Sequence, residues 1–127
     1  LNGKKLRYTA AHNRFIVIRD NAILEMKADR MPVGKGESEE PFTLHEISLQ
    51  PGDVIYIYTD GYADQFGGPA AAQGGKKYKY KQLGETLLEL HQLPMHEQHK
   101  KLEADFLQWK QHLEQVDDVL VLGFRLV

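Results

Sequence analysis

The sequence has no cysteine, which excludes disulfide bonds and thiolate metal sites and is compatible with a reducing cytosol. No stretch reaches the roughly 18 to 20 consecutive apolar residues that a membrane-spanning helix needs. The net charge of −2 gives no general attraction to nucleic acid. We therefore expect a cytoplasmic segment with no nucleic acid and no membrane among its partners, even if a parent protein is anchored in a membrane elsewhere.

Signatures of several catalytic classes are also missing. No serine lies in a nucleophile-elbow context, and no Walker-type phosphate loop is present. The run His96-Glu97-Gln98-His99 spaces its histidines three apart, whereas a zincin motif spaces them four apart. A surface histidine pair on a polar helix face is the better interpretation.

The 127 residues, of which 42% are hydrophobic and 27% charged, are typical of one soluble domain or a piece of one. The chain opens at Leu1-Asn2-Gly3-Lys4-Lys5, a pattern typical of a hairpin tip. We therefore expect residues 1–127 to be an excised part of a longer chain.

Apolar runs bounded by turn residues predict six strands. The close spacing of the first three favours an antiparallel meander. Pro51-Gly52-Asp53 predicts a tight turn into the fifth strand, which is apolar on both faces and therefore central. The predicted strands are 6–10, 15–18, 22–26, 42–49, 54–58 and 119–126.

Two helices are predicted before the last strand, the first near residues 81–92 and the second beginning near Pro94, where the missing N–H of proline costs little. Each has an apolar stripe at helical spacing. The stripes are Leu83, Leu87 and Leu90 in the first helix and Leu102, Phe106, Trp109 and Leu113 in the second. The order of elements predicts an α+β fold with helices packed on one sheet face.

The glycine-rich segment Phe66–Lys77, with four glycines and three consecutive alanines, is expected to be the least structured and most mobile part of the chain. The run that follows, Lys76-Lys77-Tyr78-Lys79-Tyr80-Lys81, mixes cations with aromatic rings. It could bind phosphate or single-stranded nucleic acid, but a solvated helix entrance is the favoured interpretation. If the run has a role, contact with an acidic or phosphorylated protein fits its position best.

Two acidic motifs lie at the ends of apolar runs far apart in sequence. One run ends at Thr59-Asp60, and the other begins directly after Asp117-Asp118. If the two strands are antiparallel neighbours, Asp60 and Asp117 meet at one rim of the sheet. Clustered carboxylates are costly unless a cation neutralises them, so the pattern indicates an oxygen-ligand site for Mg²⁺ or Mn²⁺.

Gly61 and Asp64 extend this motif. A glycine after Asp60 lets the backbone turn sharply and leaves its carbonyl free to face an ion. If the chain turns helically, Asp64 lies on the same side as Asp60. An Asp-Gly pair after a strand is by itself usually just a turn, and only the combination with Asp117-Asp118 favours a metal site.

Four motifs, in this order, resemble those of type-2C (PPM-type) metal-dependent serine/threonine phosphatases, in the branch named after stage II sporulation protein E. The Thr-Asp-Gly signature after a Leu-x-Pro-Gly-Asp strand is the most specific of them. The matching stretches are Leu6–Asn13, Met31-Pro32-Val33-Gly34, Leu49–Gly61 and Asp117-Asp118.

The resemblance implies that residues 1–127 are the C-terminal part of a four-layer α-β-β-α sandwich with antiparallel strands. It implies that Asp60 and Asp117 bind two Mn²⁺ or Mg²⁺ ions, with Gly61 and Asp64 as further metal contacts. The ions activate a water that attacks the phosphorus of phosphoserine or phosphothreonine. Residues 66–81 match a variable flap that touches the substrate protein.

The chain departs from the family pattern in three ways. The N-terminal half of the domain, with the other metal ligands, is absent, so the fragment alone is not expected to catalyse. Ala11 replaces a glycine, and Leu120 replaces the threonine that usually stands two residues after the closing acidic pair. A phosphatase that has lost activity and only binds a regulatory partner is therefore the alternative function, and a plain structural α+β module is a third.

The resemblance also implies partners. Family members of this branch end larger signalling proteins with upstream sensor domains, and they act on phosphorylated proteins similar to anti-anti-sigma factors. Half of a two-sheet fold exposes an apolar sheet face, so we also expect homo-oligomers of the fragment.

Overall fold

The structure, a computed structural model, describes residues 4–8, 14–25 and 45–127. These residues form eight strands and two α-helices, and none of the described helices is long and apolar enough to cross a membrane. The elements are β1 (Lys4–Tyr8), β2 (Arg14–Arg19), β3 (Ala22–Glu25), β4 (His45–Leu49), β5 (Val54–Tyr58), β6 (Phe66–Gly67), β7 (Lys76–Lys77), α1 (Tyr80–Leu90), α2 (Met95–Lys110) and β8 (Val121–Arg125). The predicted α+β class is confirmed. The motif Met31–Gly34 and residues 9–13 lie outside the described residues.

The main sheet has four antiparallel strands in the order β3-β2-β5-β8. The central position predicted for β5 is confirmed, because it pairs with β2 on one side and β8 on the other. Tyr58 at the end of β5 lies opposite Val121 at the start of β8. The strand ends that carry the acidic motifs are therefore neighbours.

Two turns fix the register of this sheet. Asp20 and Asn21 join β2 to β3 with φ of 52° and 60°, and two consecutive left-handed residues match the twist of a hairpin. In the predicted turn before β5, the Asp53 N–H donates to the Gln50 carbonyl at 3.1 Å and Gly52 has φ of 92°. A left-handed third residue after a proline is the pattern of a type II turn.

The predicted meander is wrong for the first strand. β1 pairs with β4 in a separate two-stranded sheet, with Leu6 opposite Ile47. Both edges of β2 are already occupied, by β3 and β5, so β1 has no place beside it.

Side chains from alternate positions of the main sheet form a core with the helices. Leu83 and Leu87 of α1 have no exposed surface, and burying each leucine contributes about 1.5 to 3 kcal/mol. Phe106 of α2 is buried in the same cluster. The sheet contributes Ile16, Ile18, Val54, Tyr56 and Tyr58.

The stripe predicted for α2 is right except at its end. Leu102 and Trp109 pack on the core, but the helix ends at Lys110, before Leu113. Gln111 has φ of 51°, which no helix can continue.

The opposite face of the main sheet is covered only in part by described residues. Phe15, Val17 and Ile55 pack with Leu49 of β4. Toward β8, Leu122 and Phe124 remain 43% and 50% exposed.

The glycine-rich segment is more structured than its composition predicts. β6 and β7 pair, with Phe66 opposite Lys77, and a 3₁₀ turn at Ala71–Gln73 lies between them. The segment packs tightly on α2, because a Cβ on Gly67 would lie 1.9 Å from the Trp109 carbonyl oxygen. Its glycines therefore permit close backbone approach.

Candidate functional site

Thr59 joins the ends of β5 and β8. Its N–H donates to the Leu120 carbonyl, its hydroxyl donates to the Asp118 carbonyl, and the Leu120 N–H donates to that hydroxyl, all at 3.1 Å. The two acidic segments therefore meet at one rim of the sheet, which is the arrangement on which the predicted meeting of Asp60 with Asp117 depends.

Gly61 lies directly against the second acidic segment. A Cβ at this position would be 2.1 Å from the Asp118 carbonyl oxygen, a distance that no real atom pair tolerates. Gly61 is not among the glycines with positive φ, so the sharp turn that we expected is not what requires a glycine here. The requirement is space for the backbone of Asp118.

The chain after β5 turns helically, which is the condition on which the position predicted for Asp64 depends. The Asp64 N–H donates to the Asp60 carbonyl at 2.9 Å, so the two residues are one helical turn apart. The Asp64 carboxylate lies 3.7 Å from Nζ of Lys77 in the glycine-rich segment. Both side chains are well exposed, so this ion pair contributes little to stability.

Asp60 and Asp117 differ in their surroundings. Asp60 is half-buried, and its Oδ1 accepts a hydrogen bond from the hydroxyl of Tyr80. Asp117 is exposed, and its carboxylate accepts from the N–H of Asp118 at 2.7 Å. The Gln115 side chain donates to the Asp117 carbonyl at 2.9 Å, which holds the loop before β8.

Carboxylate and carbonyl oxygens fit the preference of Mg²⁺ and Mn²⁺. Within the described ranges, however, no three His, Cys, Asp or Glu side chains are grouped so that they could hold a metal ion. A cleft of about 610 Å³ lies between α2 and β8, but Asp60, Asp64 and Asp117 are not in its lining. The described residues thus offer part of an oxygen-ligand site, and the assignments of Asp60, Gly61, Asp64 and Asp117 to a metal stay predictions.

A buried network, which sequence reasoning missed, fixes the turn after β5 to α2. The hydroxyls of Tyr62 and Tyr78 donate to the same Asp105 oxygen at 2.6 and 2.7 Å, and Tyr62 also bonds the Leu102 carbonyl. Burial raises the pKa of Tyr62 and of Tyr78 above the usual tyrosine value, and the Asp105 carboxylate raises both further. Both hydroxyls therefore remain protonated donors at physiological pH.

The lysine and histidine runs lie on the surface. Lys76, Lys77, Lys79 and Lys81 are all exposed, in keeping with a solvated helix entrance. His99 is 78% exposed and lies 4.0 Å from Glu103 on α2, which agrees with a surface position for the histidine pair.

Comparisons with known proteins agree with the fold. The family model described as Stage II sporulation protein E (SpoIIE) matches residues 1–127. Among solved structures, the "SiaA-PP2C domain of Pseudomonas aeruginosa" is similar to the chain, with a TM-score of 0.82 and 25% sequence identity. The match covers 97% of this chain and 47% of that one, so the chain spans about half the length of this relative. None of the curated proteins matches the chain in sequence.

Proposed function

Because this chain belongs to the stage II sporulation protein E family of PP2C-type phosphatases, we propose that it is the C-terminal part of a metal-dependent serine/threonine phosphatase domain. In this proposal the remaining half of the domain, with further metal ligands, belongs to a longer parent protein, which is supported by the chain spanning about half the length of its structural relative. The observation that carries the proposal is the contact between the Asp60-Gly61 turn and Asp118. This contact brings two acidic motifs that are far apart in sequence to one rim of the sheet. Thr59 and Asp118, which are joined by a hydrogen bond, are 59 residues apart.

In this proposal Asp60 and Asp117 bind the metal, and the Gly61 carbonyl and Asp64 contribute further contacts. Bound Mn²⁺ or Mg²⁺ would supply a water activated for attack on a phosphoserine or phosphothreonine. The chain's own part is to hold its carboxylates at fixed positions. Thr59 and the Tyr62–Asp105 bond do so by tying the turn to β8 and to α2.

The substrate in this proposal is a phosphorylated regulatory protein of the anti-anti-sigma-factor type, and sensor domains upstream in the parent control the reaction. The exposed lysines after β6 support an acidic partner, because residues 65–84 contain four lysines and no acidic residue. The alternative, a phosphatase-like module that only binds a regulatory partner, is favoured by Leu120, which lies two residues after Asp118, is half exposed and offers no hydroxyl.

The experiment uses the parent protein that contains both halves. Hydrolysis of p-nitrophenyl phosphate is measured with and without Mn²⁺, in the wild type and in Asp60→Asn. Asp20→Asn is the matched control, because it makes the same chemical change at an exposed turn far from the site. The backbone at Asp20 is left-handed, and asparagine adopts that conformation as readily as aspartate does. Metal-dependent turnover that is lost in Asp60→Asn and kept in Asp20→Asn is the expected result. A folded parent with no turnover would instead support the partner-binding module.

A further inference from the structure

The first residue of α1 contacts the proposed metal-binding turn. The Tyr80 hydroxyl donates a hydrogen bond to Oδ1 of Asp60, although the two residues are 20 apart in sequence. Both side chains are half-buried, so water competes only partly for this bond. No motif in the sequence connects these residues, and the contact depends on the position of α1 over the end of β5.

Packing alone does not require the hydroxyl. The ring of Tyr80 lies 6.1 Å from the ring of Tyr58, with the planes inclined by 35°. A phenylalanine at position 80 would make the same ring contact. The hydroxyl adds a donor directed at one carboxylate oxygen, and such a bond restricts the rotation of that carboxylate.

The backbone before Tyr80 is held in a conformation that costs free energy. Lys79 has φ of 79° and ψ of 153°, a combination that residues with a side chain rarely adopt. Three hydrogen bonds keep it there: Lys79 N–H to the Ala63 carbonyl at 2.7 Å, Leu83 N–H to the Lys79 carbonyl at 3.2 Å, and Tyr78 N–H to the Gln65 carbonyl at 3.0 Å. Two of these bonds connect to the same turn that carries Asp60.

Tyr78, the residue before Lys79, is also held in place. Tyr78 is 2% exposed, with its hydroxyl bonded to Asp105 and to Thr86. Its ring meets Trp109 edge-on, with centroids 5.2 Å apart. With Tyr78 anchored in the core, the unusual backbone at Lys79 places Tyr80 against Asp60.

We propose that Tyr80 is a positioning residue that holds the Asp60 carboxylate in the orientation in which it binds the metal. The inference rests on the proposed function. Groups that hydrogen-bond to a metal ligand fix its orientation, and their loss weakens metal binding even though they never touch the ion.

The test compares Tyr80→Phe with Tyr56→Phe in the parent protein. Tyr56→Phe is the matched control, because it removes a buried hydroxyl that bonds Gln98 at 2.5 Å on the same sheet. Mn²⁺ affinity is measured by electron paramagnetic resonance of the free ion. We expect Tyr80→Phe to weaken Mn²⁺ binding about tenfold or more and Tyr56→Phe to change it less than about twofold. Tyr80→Phe should weaken binding no further when it is added to Asp60→Asn. Wild-type affinity in a folded Tyr80→Phe variant would overturn the proposal.

A second measurement separates this inference from the proposed function. The ¹³Cζ resonance of Tyr80 in the metal-free parent reports the hydrogen bond of its hydroxyl. Asp60→Ala should shift this resonance, and Asp64→Ala should leave it in place. If the parent binds no Mn²⁺ but the resonance responds, the proposed function fails while the contact stands. An unresponsive resonance overturns the role of Tyr80 whatever the metal binding.

Discussion

Asp53, at the turn before β5, accepts two hydrogen bonds from Arg19 of β2, one from Nε at 3.0 Å and one from Nη2 at 2.8 Å. The Asp53 side chain is 1% exposed, and its second oxygen also accepts from the Gln50 N–H at 2.9 Å. Arg19 donates in addition to the Ser48 carbonyl at 2.9 Å. The aspartate of the Pro51-Gly52-Asp53 motif therefore links β2, β4 and the turn, and its role is structural.

Replacing Asp53 by asparagine should destabilise the protein by about 3 kcal/mol, because the Arg19 guanidinium would lose its buried partner. The free energy of unfolding is measured in urea. Asp20→Asn is again the control, since its carboxylate is exposed, and it should change stability by less than about 0.5 kcal/mol. A loss below about 1 kcal/mol for Asp53→Asn would show that the pair is no stronger than a surface ion pair.

The same pair predicts a loss of stability in acid. Burial alone would raise the pKa of Asp53, but the hydrogen bonds from Arg19 and from the Gln50 N–H outweigh it and lower the pKa below its usual value. The stabilisation is therefore complete above the unfolded value of about 4 and is lost as the pH falls through the lower folded value. Urea unfolding of wild type and Asp53→Asn between pH 7 and pH 2 checks this. The difference between the two proteins should shrink below about pH 4, and a constant difference would contradict the assignment.

Gly61→Ala should separate the two acidic segments. The new methyl would overlap the Asp118 carbonyl, and backbone atoms cannot move aside as a flexible side chain can, so we expect a cost of about 3 kcal/mol or more. Hydrogen exchange of the Leu120 amide, which is bonded to the Thr59 hydroxyl, reports the separation directly.

Gly74→Ala is the control for this change. An alanine at position 74 is strained by the φ of 98°, which costs about 1 to 2 kcal/mol, but its methyl would meet no atom within 4 Å. Faster exchange at Leu120 in Gly61→Ala and unchanged exchange in Gly74→Ala is the expected pattern. Equal exchange in both variants would show that the contact at Gly61 does not position Asp118.

The apolar side chains of β8 predict self-association of the isolated chain of 127 residues. Ile57, Leu122 and Phe124 are on one sheet face and are 37%, 43% and 50% exposed. Contiguous apolar surface of this kind is usually covered by another protein surface. Sedimentation should reveal dimers or larger species that dissociate in Phe124→Glu. Leu107→Glu, at an apolar residue of α2 that is 53% exposed, should leave the association unchanged. A wild-type monomer at all concentrations would contradict the prediction.

Much of the site's framework could be predicted from the sequence, because it depends on local signals. Apolar runs that end at Asp60 and begin after Asp118 predict the two strands, and their acidic ends pointed to the pairing of β5 with β8 as the condition for a shared site. The pairing of β1 with β4 was not predictable, because it depends on which edges of β2 are occupied. The end of α2 at Lys110 was missed, since Gln111 has a positive φ of 51° without being the glycine that usually occupies such a position. The hydrogen bond between Tyr80 and Asp60 joins two elements that share no sequence motif. The one related signal in the sequence is the alternation of Tyr78 and Tyr80 around Lys79, which does not identify Asp60 as the partner.

The glycine-rich segment begins and ends at almost the same place, because the Tyr78 N–H bonds the Gln65 carbonyl and the Lys79 N–H bonds the Ala63 carbonyl. A loop that is closed at its base can be lengthened at a cost of only about 0.6 kcal/mol for each doubling of its length. Gly67 and Gly68 lie against Trp109, so only the exposed tip, residues 72–74, can change in size and charge while Asp60 and Asp64 stay where they are. Under the proposed function, tips grafted from other members of the family onto this base would change the partner protein and leave the carboxylates of the site in place.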